Sequence, residues 1–435
     1  MQKQKPVMER FVIEGGLPLS GEIRPSGNKN AALPILAATL LTDERVVLHR
    51  VPQIRDVQSM ISLLDDLGVA IEQLGEHDWA FSAQQVRKTK LDPDLCRQIR
   101  ASILLAGPLL ARCGQVTLPP PGGDVIGRRR VDTHFLALRA MGTSIEGNHR
   151  KYDLAASKGL WGSDIFLDEA SVTATENAIM AAVTAAGRTV LCNAASEPHV
   201  QDLCHFLNTL GARIEGIGSN RLTIEGVDRL HGGEFTVGPD NIEVGSFIGL
   251  AAASGSEILI RNAAPQHHRM TQLAFGRLGV SWDVRDDDIL VPAQQMLRMV
   301  DDVGGSIPKI DDGPWPAFPA DLVSIAVVLA SQSQGTVLIH EKMYESRLYF
   351  VDKLISMGAR IILCDPHRAV VVGPTPLHGE EMVSPDIRAG MALVIAALCA
   401  EGTSVIQNVQ QIDRGYERLE TRLQALGARI WRERE

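Results

Sequence analysis

The chain is poor in aromatic residues (4%), has only six cysteines in 435 residues, and carries no excess of positive charge, with 43 Lys plus Arg against 52 Asp plus Glu. Each shortage excludes a class of protein. Cys96, Cys113, Cys192, Cys204, Cys364 and Cys399 form no CxxC pair and no metal-ligand spacing, and a chain of this length needs no disulfide scaffold. They read as reduced core residues, with no metal site expected. The net charge of −9 argues against general nucleic-acid binding, so a local cluster of cations reads as a site for a small anion. The longest apolar runs, such as Met391 to Ala400, reach about half of the ~20 residues that span a bilayer, and Met1 to Arg10 is polar. A cytoplasmic protein without membrane insertion is expected. With 45% hydrophobic and 22% charged residues, the composition is that of a folded chain of two or three domains.

What the sequence does contain is repetition. A hydrophobic helical pattern, then Leu or Met, then Gly, recurs with its glycines at Gly68, Gly142, Gly211, Gly279, Gly358 and Gly427. The spacing is nearly even, which marks a sixfold internal repeat. Val57, Met60, Ile61, Leu64 and Leu67 in the first unit, and Tyr416, Leu419, Leu423 and Leu426 in the last, share one helical face. The glycine after each predicts a left-handed helix end.

Upstream, Ala31 to Leu41, Ala178 to Ala186, Leu322 to Ala330 and Ala389 to Ala400 are small and apolar all round, which predicts helices buried on every side. Between the two kinds of helix lie short β-branched runs: Val46 to Leu48, Val116 to Leu118, Thr189 to Leu191, Ile258 to Ile260, Val337 to Ile339, and Val405 to Ile406. The fold class is therefore α/β. Six such units cannot all bury helices against one flat sheet, so helices inside and sheets outside, in two pseudo-threefold halves, are expected.

The repeat breaks its period twice. The second unit is about four residues longer between strand and glycine, and the excess holds Pro119-Pro-Pro-Gly-Gly-Asp-Val-Ile-Gly-Arg-Arg-Arg130. The longest interval, from Gly279 to Gly358, holds about ten extra residues, expected near Pro308 to Asp321. Such interruptions are commonly loops on a binding face.

Three guanidinium groups, Arg128, Arg129 and Arg130, follow Asp124 and suit a phosphate or carboxylate; a solvated basic loop is the alternative. Arg347, Arg388 and Arg414 recur at related points of later repeats, and each taken singly reads as a surface ion-pair partner. Lys29 opens a buried helix, where an ammonium and a helix N-terminus both favour an anion. No Ser/His/Asp order and no dinucleotide fingerprint is present, and His267 and His268 read as polar surface or satisfied core residues.

In Ser26-Gly-Asn-Lys-Asn-Ala-Ala-Leu-Pro34, Arg100-Ala-Ser, Pro121-Gly-Gly-Asp-Val-Ile-Gly127, Val131-Asp-Thr-His134, Ser171-Val-Thr-Ala-Thr-Glu-Asn177, Phe318-Pro-Ala-Asp321 and Ile412-Asp-Arg-Gly-Tyr-Glu-Arg418, the chain resembles the enolpyruvyl transferases, nearly end to end. The resemblance implies an inside-out α/β barrel of two domains, each of three similar units, with the active site in the cleft between them. One domain would be 1–28 with 239–435, and the other 29–238, carrying the catalytic loop 119–130.

The implied reaction moves the enolpyruvyl group of phosphoenolpyruvate onto the 3-hydroxyl of the sugar in UDP-N-acetylglucosamine, with release of phosphate and no cofactor. By resemblance Asp124 donates the proton, Asp321 handles the sugar hydroxyl, and Lys29, Arg129, Arg347, Arg388 and Arg414 surround phosphoenolpyruvate. Asn30, Arg100, Arg129, Arg130, Val131, Asp132, Thr133, His134, Ser171, Val172, Thr173, Asp321 and Met343 match stretches that hold the sugar nucleotide, and Asp56 and Glu197 match acidic family positions.

The chain departs from the family at several of these points. Asp124 stands where most members have the cysteine that fosfomycin alkylates, Arg128 to Arg130 replaces Ala-Arg-Pro, Thr133 a leucine, Thr173 a glycine, Ala320 a threonine and His199 a glutamate. A different acceptor, such as a nucleoside phosphate or shikimate 3-phosphate, or a non-catalytic sugar-nucleotide-binding regulator, stays open on the sequence.

Overall fold

The structure is a computed structural model that describes residues 9–123, 127, 129–148 and 150–434. Its described residues form six small sheets, five of four strands and one of three. Each of the six β-branched runs lies in one of them, within Arg45–His49, Gln115–Leu118, Arg188–Cys192, Glu257–Ile260, Gly335–His340 and Thr403–Gln407. In every four-stranded sheet that strand has a parallel neighbour on one side and an antiparallel pair of strands on the other. In the three-stranded sheet the parallel neighbour is reduced to one bridge, Lys90 to Thr117. The sequence period is thus a sheet period.

Each unit contributes one of the glycine-ended amphipathic helices after its strand: Arg55–Asp66, Asp132–Ala140, Pro198–Thr209, Arg269–Gly276, Val351–Ser356 and Leu419–Ala425. All six following glycines have positive φ, between 87° and 102°, the left-handed conformation that ends a helix at no Cβ cost. The last helix starts later than the apolar spacing suggests, because Tyr416 lies in the turn before it and is buried there.

Proximity of the backbone divides the chain into two compact units, one reaching Ser26 and resuming at Pro239, the other lying between Gly27 and Gly238. Each holds three of the sheets. In the first, the helices Asn241–Ala253, Val323–Gln332 and Ile387–Cys399 are buried on nearly every face and touch one another. Their close approach needs small residues: a Cβ on Gly249 would fall 2.3 Å from Ile325 Cγ2. In the second unit, Lys29–Ala38 and Val172–Ala182 are buried almost throughout, and Ala106–Cys113 along its first five residues. Gly107 approaches the helix Val172–Ala182 so closely that a Cβ would sit 2.5 Å from Asn177 O.

Two expectations need correction. The extra residues of the long interval lie before Lys309: the connection from Val291 to Lys309 is more than twice as long as the comparable connections Gly373–Glu381 and Glu225–Gly233. The stretch 308–321 instead contains an edge strand, Lys309–Asp311, found in the same place in the other four-stranded sheets. The cysteines are all free, but only Cys96 and Cys204 are fully buried and Cys364 is exposed. Among the described residues no helix is long and apolar enough to cross a membrane.

Candidate functional site

In the unit built around Lys29–Ala38, Asn28 caps the helix, its Oδ1 accepting from Asn30 N at 2.8 Å and Ala31 N at 3.3 Å. Lys29 follows as the first helical residue and is buried. Its Nζ lies 2.8 Å from Asp56 Oδ2, in the first turn of Arg55–Asp66. A buried ammonium is tolerable only with such a partner.

Asp124, the expected proton donor, lies outside the described residues, but the stem before it is defined. Gly122 N donates to Cys96 O at 3.1 Å, and a Cβ on Gly122 would sit 1.9 Å from Arg97 O. Gly123, with φ +105°, packs against Arg100. These glycines therefore serve close backbone approach rather than mobility. Beyond the loop, Arg100 Nη2 donates to the carbonyls of Arg129 and Arg130 at 2.8 and 3.0 Å, so one guanidinium holds the returning strand of chain.

Arg130 is exposed and pairs with Asp132 (3.3 Å) and Asp168 (3.0 Å). Thr133 Oγ1 donates to the other oxygen of Asp168 at 2.7 Å. The Thr133 hydroxyl, and after it Arg130, hold the Asp168 carboxyl below its usual range. Val131 precedes the helix Asp132–Ala140, which carries Thr133 and His134 inward.

His134 is buried between Asn177 Nδ2, 2.9 Å from its Nδ1, and Thr173 Oγ1, 3.1 Å from its Nε2. An amide NH2 can only donate, so Nδ1 is the acceptor and Nε2 carries the proton toward Thr173. Burial, with Arg100 nearby, lowers the His134 pKa to about 3, so the ring is neutral. Thr173 thereby has its hydroxyl hydrogen available for another acceptor. Ser171 and Val172 flank it at the start of Val172–Ala182, all three partly open to solvent.

The other unit gathers a second group. Asp321, in the turn Ala320–Leu322, accepts from Arg347 Nη2 on Oδ1 and from Arg388 Nε on Oδ2, both at 2.9 Å. Arg347 and Arg388 are only 4% exposed, which corrects their reading as surface residues. Burial, the largest single influence, opposes the charge on each, and Asp321 together with Asp386, Tyr344 and Glu341 around Arg347, and with Tyr416 and Asp240 around Arg388, outweighs it, so both pKa values are raised. Arg388 opens the helix Ile387–Cys399, capped by Asp386, whose Oδ1 accepts from Arg388 N and Ala389 N. Its Nη1 reaches Tyr416 Oη at 3.3 Å, and Tyr416 Oη meets Ser246 Oγ at 3.0 Å.

Arg347 lies over the Tyr344 ring at 5.0 Å, and its Nε is buried with no hydrogen-bond partner among the described residues. Arg414 ends the turn Val409–Arg414 and is half-buried, its Nη1 donating to Gln411 Oε1 at 2.9 Å. Met343 is partly exposed beside them in sequence, its N donating to Glu341 Oε1. The arrangement is two buried cations on one carboxylate.

Sequence reasoning missed Asp168, Asn177, Asp386 and Tyr416. Each sits within a few positions of a residue or motif named from the sequence, but a single polar letter does not reveal its partner. It also missed Glu176, whose carboxyl is pushed well above its usual range by burial and then by Glu197.

These groups define an α/β protein of six sheet-and-helix units with a carboxylate held between two buried guanidinium groups. The chain belongs to the EPSP synthase (3-phosphoshikimate 1-carboxyvinyltransferase) family, whose model matches residues 13–423. It is 56% identical to UDP-N-acetylglucosamine 1-carboxyvinyltransferase of Treponema denticola, covering 97% of this chain and 99% of that one. To the enzyme of that name from Bradyrhizobium diazoefficiens it is 57% identical, over 97% and 98%. Among solved structures it resembles the enolpyruvyl transferase NikO from Streptomyces tendae, with TM-score 0.86, 25% identity and coverage of 99% and 100%. EPSP synthase from Acinetobacter baumannii, at 16% identity and TM-score 0.74 over 98% and 100%, shares the fold.

Proposed function

We propose that this chain transfers the enolpyruvyl group of phosphoenolpyruvate to the 3-hydroxyl of UDP-N-acetylglucosamine and releases phosphate, as a cytoplasmic enzyme of peptidoglycan synthesis. The observation that carries this reading is identity of 56% and 57%, over 97% of the chain, with relatives bearing that enzyme's name. In this reading each unit is one inside-out α/β barrel, with the domains divided as 1–28 with 239–435 and 29–238.

The chemistry is addition followed by elimination. A proton from Asp124 goes to the methylene carbon of phosphoenolpyruvate while the sugar 3-oxygen, losing its proton, bonds to the central carbon. A proton then leaves the new methyl group as the carbon–oxygen bond to phosphate breaks. Asp321 takes the hydrogen bond of the sugar hydroxyl, and Arg347 and Arg388 hold Asp321 in place. Lys29, Arg129, Arg347, Arg388 and Arg414 surround the phosphate and carboxylate. At an effective dielectric near 20, one cation ~4 Å from an anion contributes ~4 kcal/mol, so several are needed for so anionic a substrate. Asn30, Arg100, Arg130 to His134, Ser171 to Thr173 and Met343 hold the sugar nucleotide.

The test is phosphate release from phosphoenolpyruvate with UDP-N-acetylglucosamine, UMP or shikimate 3-phosphate as acceptor, beside Asp124→Ala. Release that requires UDP-N-acetylglucosamine and disappears in the variant is expected. Release with another acceptor alone would redirect the reading, and binding without turnover would replace it.

A further inference from the structure

Two acidic side chains outside the groups already described are buried against one another in the unit that holds Asp321. Asp312 is 2% exposed and Glu341 fully buried. Asp312 Oδ1 accepts from Lys342 N, and Glu341 Oε1 accepts from Met343 N at 3.1 Å and Tyr344 N at 3.0 Å. Their remaining oxygens, Asp312 Oδ2 and Glu341 Oε2, are buried and meet no N–H or O–H group of another described residue. Lys309–Asp311 pairs in parallel with Leu338–His340, and Asp312 Oδ1 takes the N–H of the residue after Glu341, so the two carboxyls leave adjacent strand ends side by side; two buried carboxyls so placed cannot both be ionised, and one keeps its proton.

The position of the pair gives it a use. Asp312 follows the strand Lys309–Asp311 and begins the segment that ends at Asp321; Glu341 follows Gly335–His340 and begins the segment that ends at Arg347. Those two segments deliver the partners of the 2.9 Å Asp321–Arg347 ion pair. We propose that Asp312 and Glu341 are positioning residues, a proton-sharing clamp that joins the Asp321 segment to the Arg347 segment and sets the geometry of that ion pair for the reaction. The part concerning turnover rests on the function proposed above; the clamp itself does not.

The charged and titratable neighbours are few. Arg347, with Tyr344 over which it lies and Asp321 to which it is bound, faces Glu341 from the following turn; Lys342 turns to Asp311; and His367 bonds through Nδ1 to Glu341 O at 2.8 Å. Burial first, then Asp312, push the Glu341 carboxyl up to about 9, against the opposing pull of Arg347. The proton belongs to the pair. The folded protein therefore holds a proton that the unfolded chain releases near pH 4.5, so stability falls as pH rises from about 4.5 to about 9 and levels off above. Ionisation of the folded pair above about 9 loosens the clamp itself.

The test uses Glu341→Gln, whose amide NH2 can donate to Asp312 Oδ2 permanently, and Glu341→Ala, which cannot. Thermal melting from pH 5 to 10 is expected to show E341Q gaining on the parent steadily up to about pH 9 and by a constant margin beyond. In the transferase assay, E341Q is expected to keep at least half the parent kcat at pH 7 and to lose part of the alkaline decline. E341A is expected to lose tenfold or more in kcat with KM for phosphoenolpyruvate changed less. A parallel melting dependence in parent and E341Q, or E341Q as impaired as E341A, overturns the clamp. If E341A does not fold, the parent and E341Q comparison decides alone. If the parent has no transferase activity but the melting curves diverge as described, the clamp stands and the functional reading fails.

Discussion

Lys29 Nζ lies 2.8 Å from Asp56 Oδ2, with both side chains less than a tenth exposed. The ion pair joins the first residue of a buried helix to the first turn of the next, so it fixes where the ammonium stands. Removing Asp56 leaves a buried cation without its carboxylate. Asp56→Ala is expected to cost about 3–5 kcal/mol, read as a lower urea midpoint at unchanged slope. Asp56→Asn, which keeps an acceptor oxygen, should cost less. Equal stability of the parent and both variants would show that the pair has no such role.

Arg388 makes a different kind of contact. Its Nε is on Asp321, its Nη1 on Tyr416, and its face lies 5.6 Å from the Tyr416 ring centre. A lysine has the charge but not the fork. Arg388→Lys is therefore expected to lower kcat/KM by about 10²-fold or more, near the range for loss of one preorganised charge donor. Loss of under threefold would argue that charge alone suffices.

Position 124 carries a carboxyl where the resemblance leads one to expect a thiol. Fosfomycin should leave no stable adduct by intact-mass measurement, and Asp124→Cys should create one. Turnover should also decline as pH rises through the pKa of Asp124 in the substrate complex, since only the protonated acid can donate. A flat profile from about pH 5 to about 9, with chemistry limiting the rate, would assign the proton to another group.

His134 supplies a pH prediction of opposite sign to that of Glu341. Its folded pKa of about 3 lies below the ordinary 6.5, so between these values the unfolded chain binds a proton that the folded protein refuses. Stability should fall as pH drops from about 6.5 toward about 3, and His134→Gln should remove that part of the slope. Nitrogen chemical shifts at pH 5 to 8 should report a neutral ring protonated on Nε2. An imidazolium signal in that range would contradict the Asn177–His134–Thr173 network.

The repeat was legible because it is local. A helix face, a glycine with left-handed φ and a β-branched run each follow from residues a few positions apart, and all six copies are present. The last sheet was not legible. Its middle is completed by Glu9–Glu14, which pairs with Thr403–Gln407 and Arg429–Arg434 from the far end of the chain. No neighbouring residue announces that pairing. The same limit applied to the long connection: the stretched interval from Gly279 to Gly358 announced an insertion, but only the strands at Val291 and Lys309 located it.

For the site, the sequence by itself determined which residue types stand at which positions: the aspartate at 124, the lysine at the head of a small-residue helix, the three arginines after the glycine-rich loop. Side-chain chemistry and local spacing carry that much. Tertiary structure alone decided that Arg347 and Arg388 are buried on the two oxygens of Asp321, that Asp168 binds Thr133 and Arg130, and that Asp312 meets Glu341. Those pairings join positions far apart in the chain, and in the case of Asp312 and Glu341 two groups that would repel in water. Burial of charge makes the pairings of Asp321 and of Asp312 with Glu341 necessary, because a desolvated carboxyl or guanidinium must find a partner or a proton, and only the folded chain decides which partner is within reach.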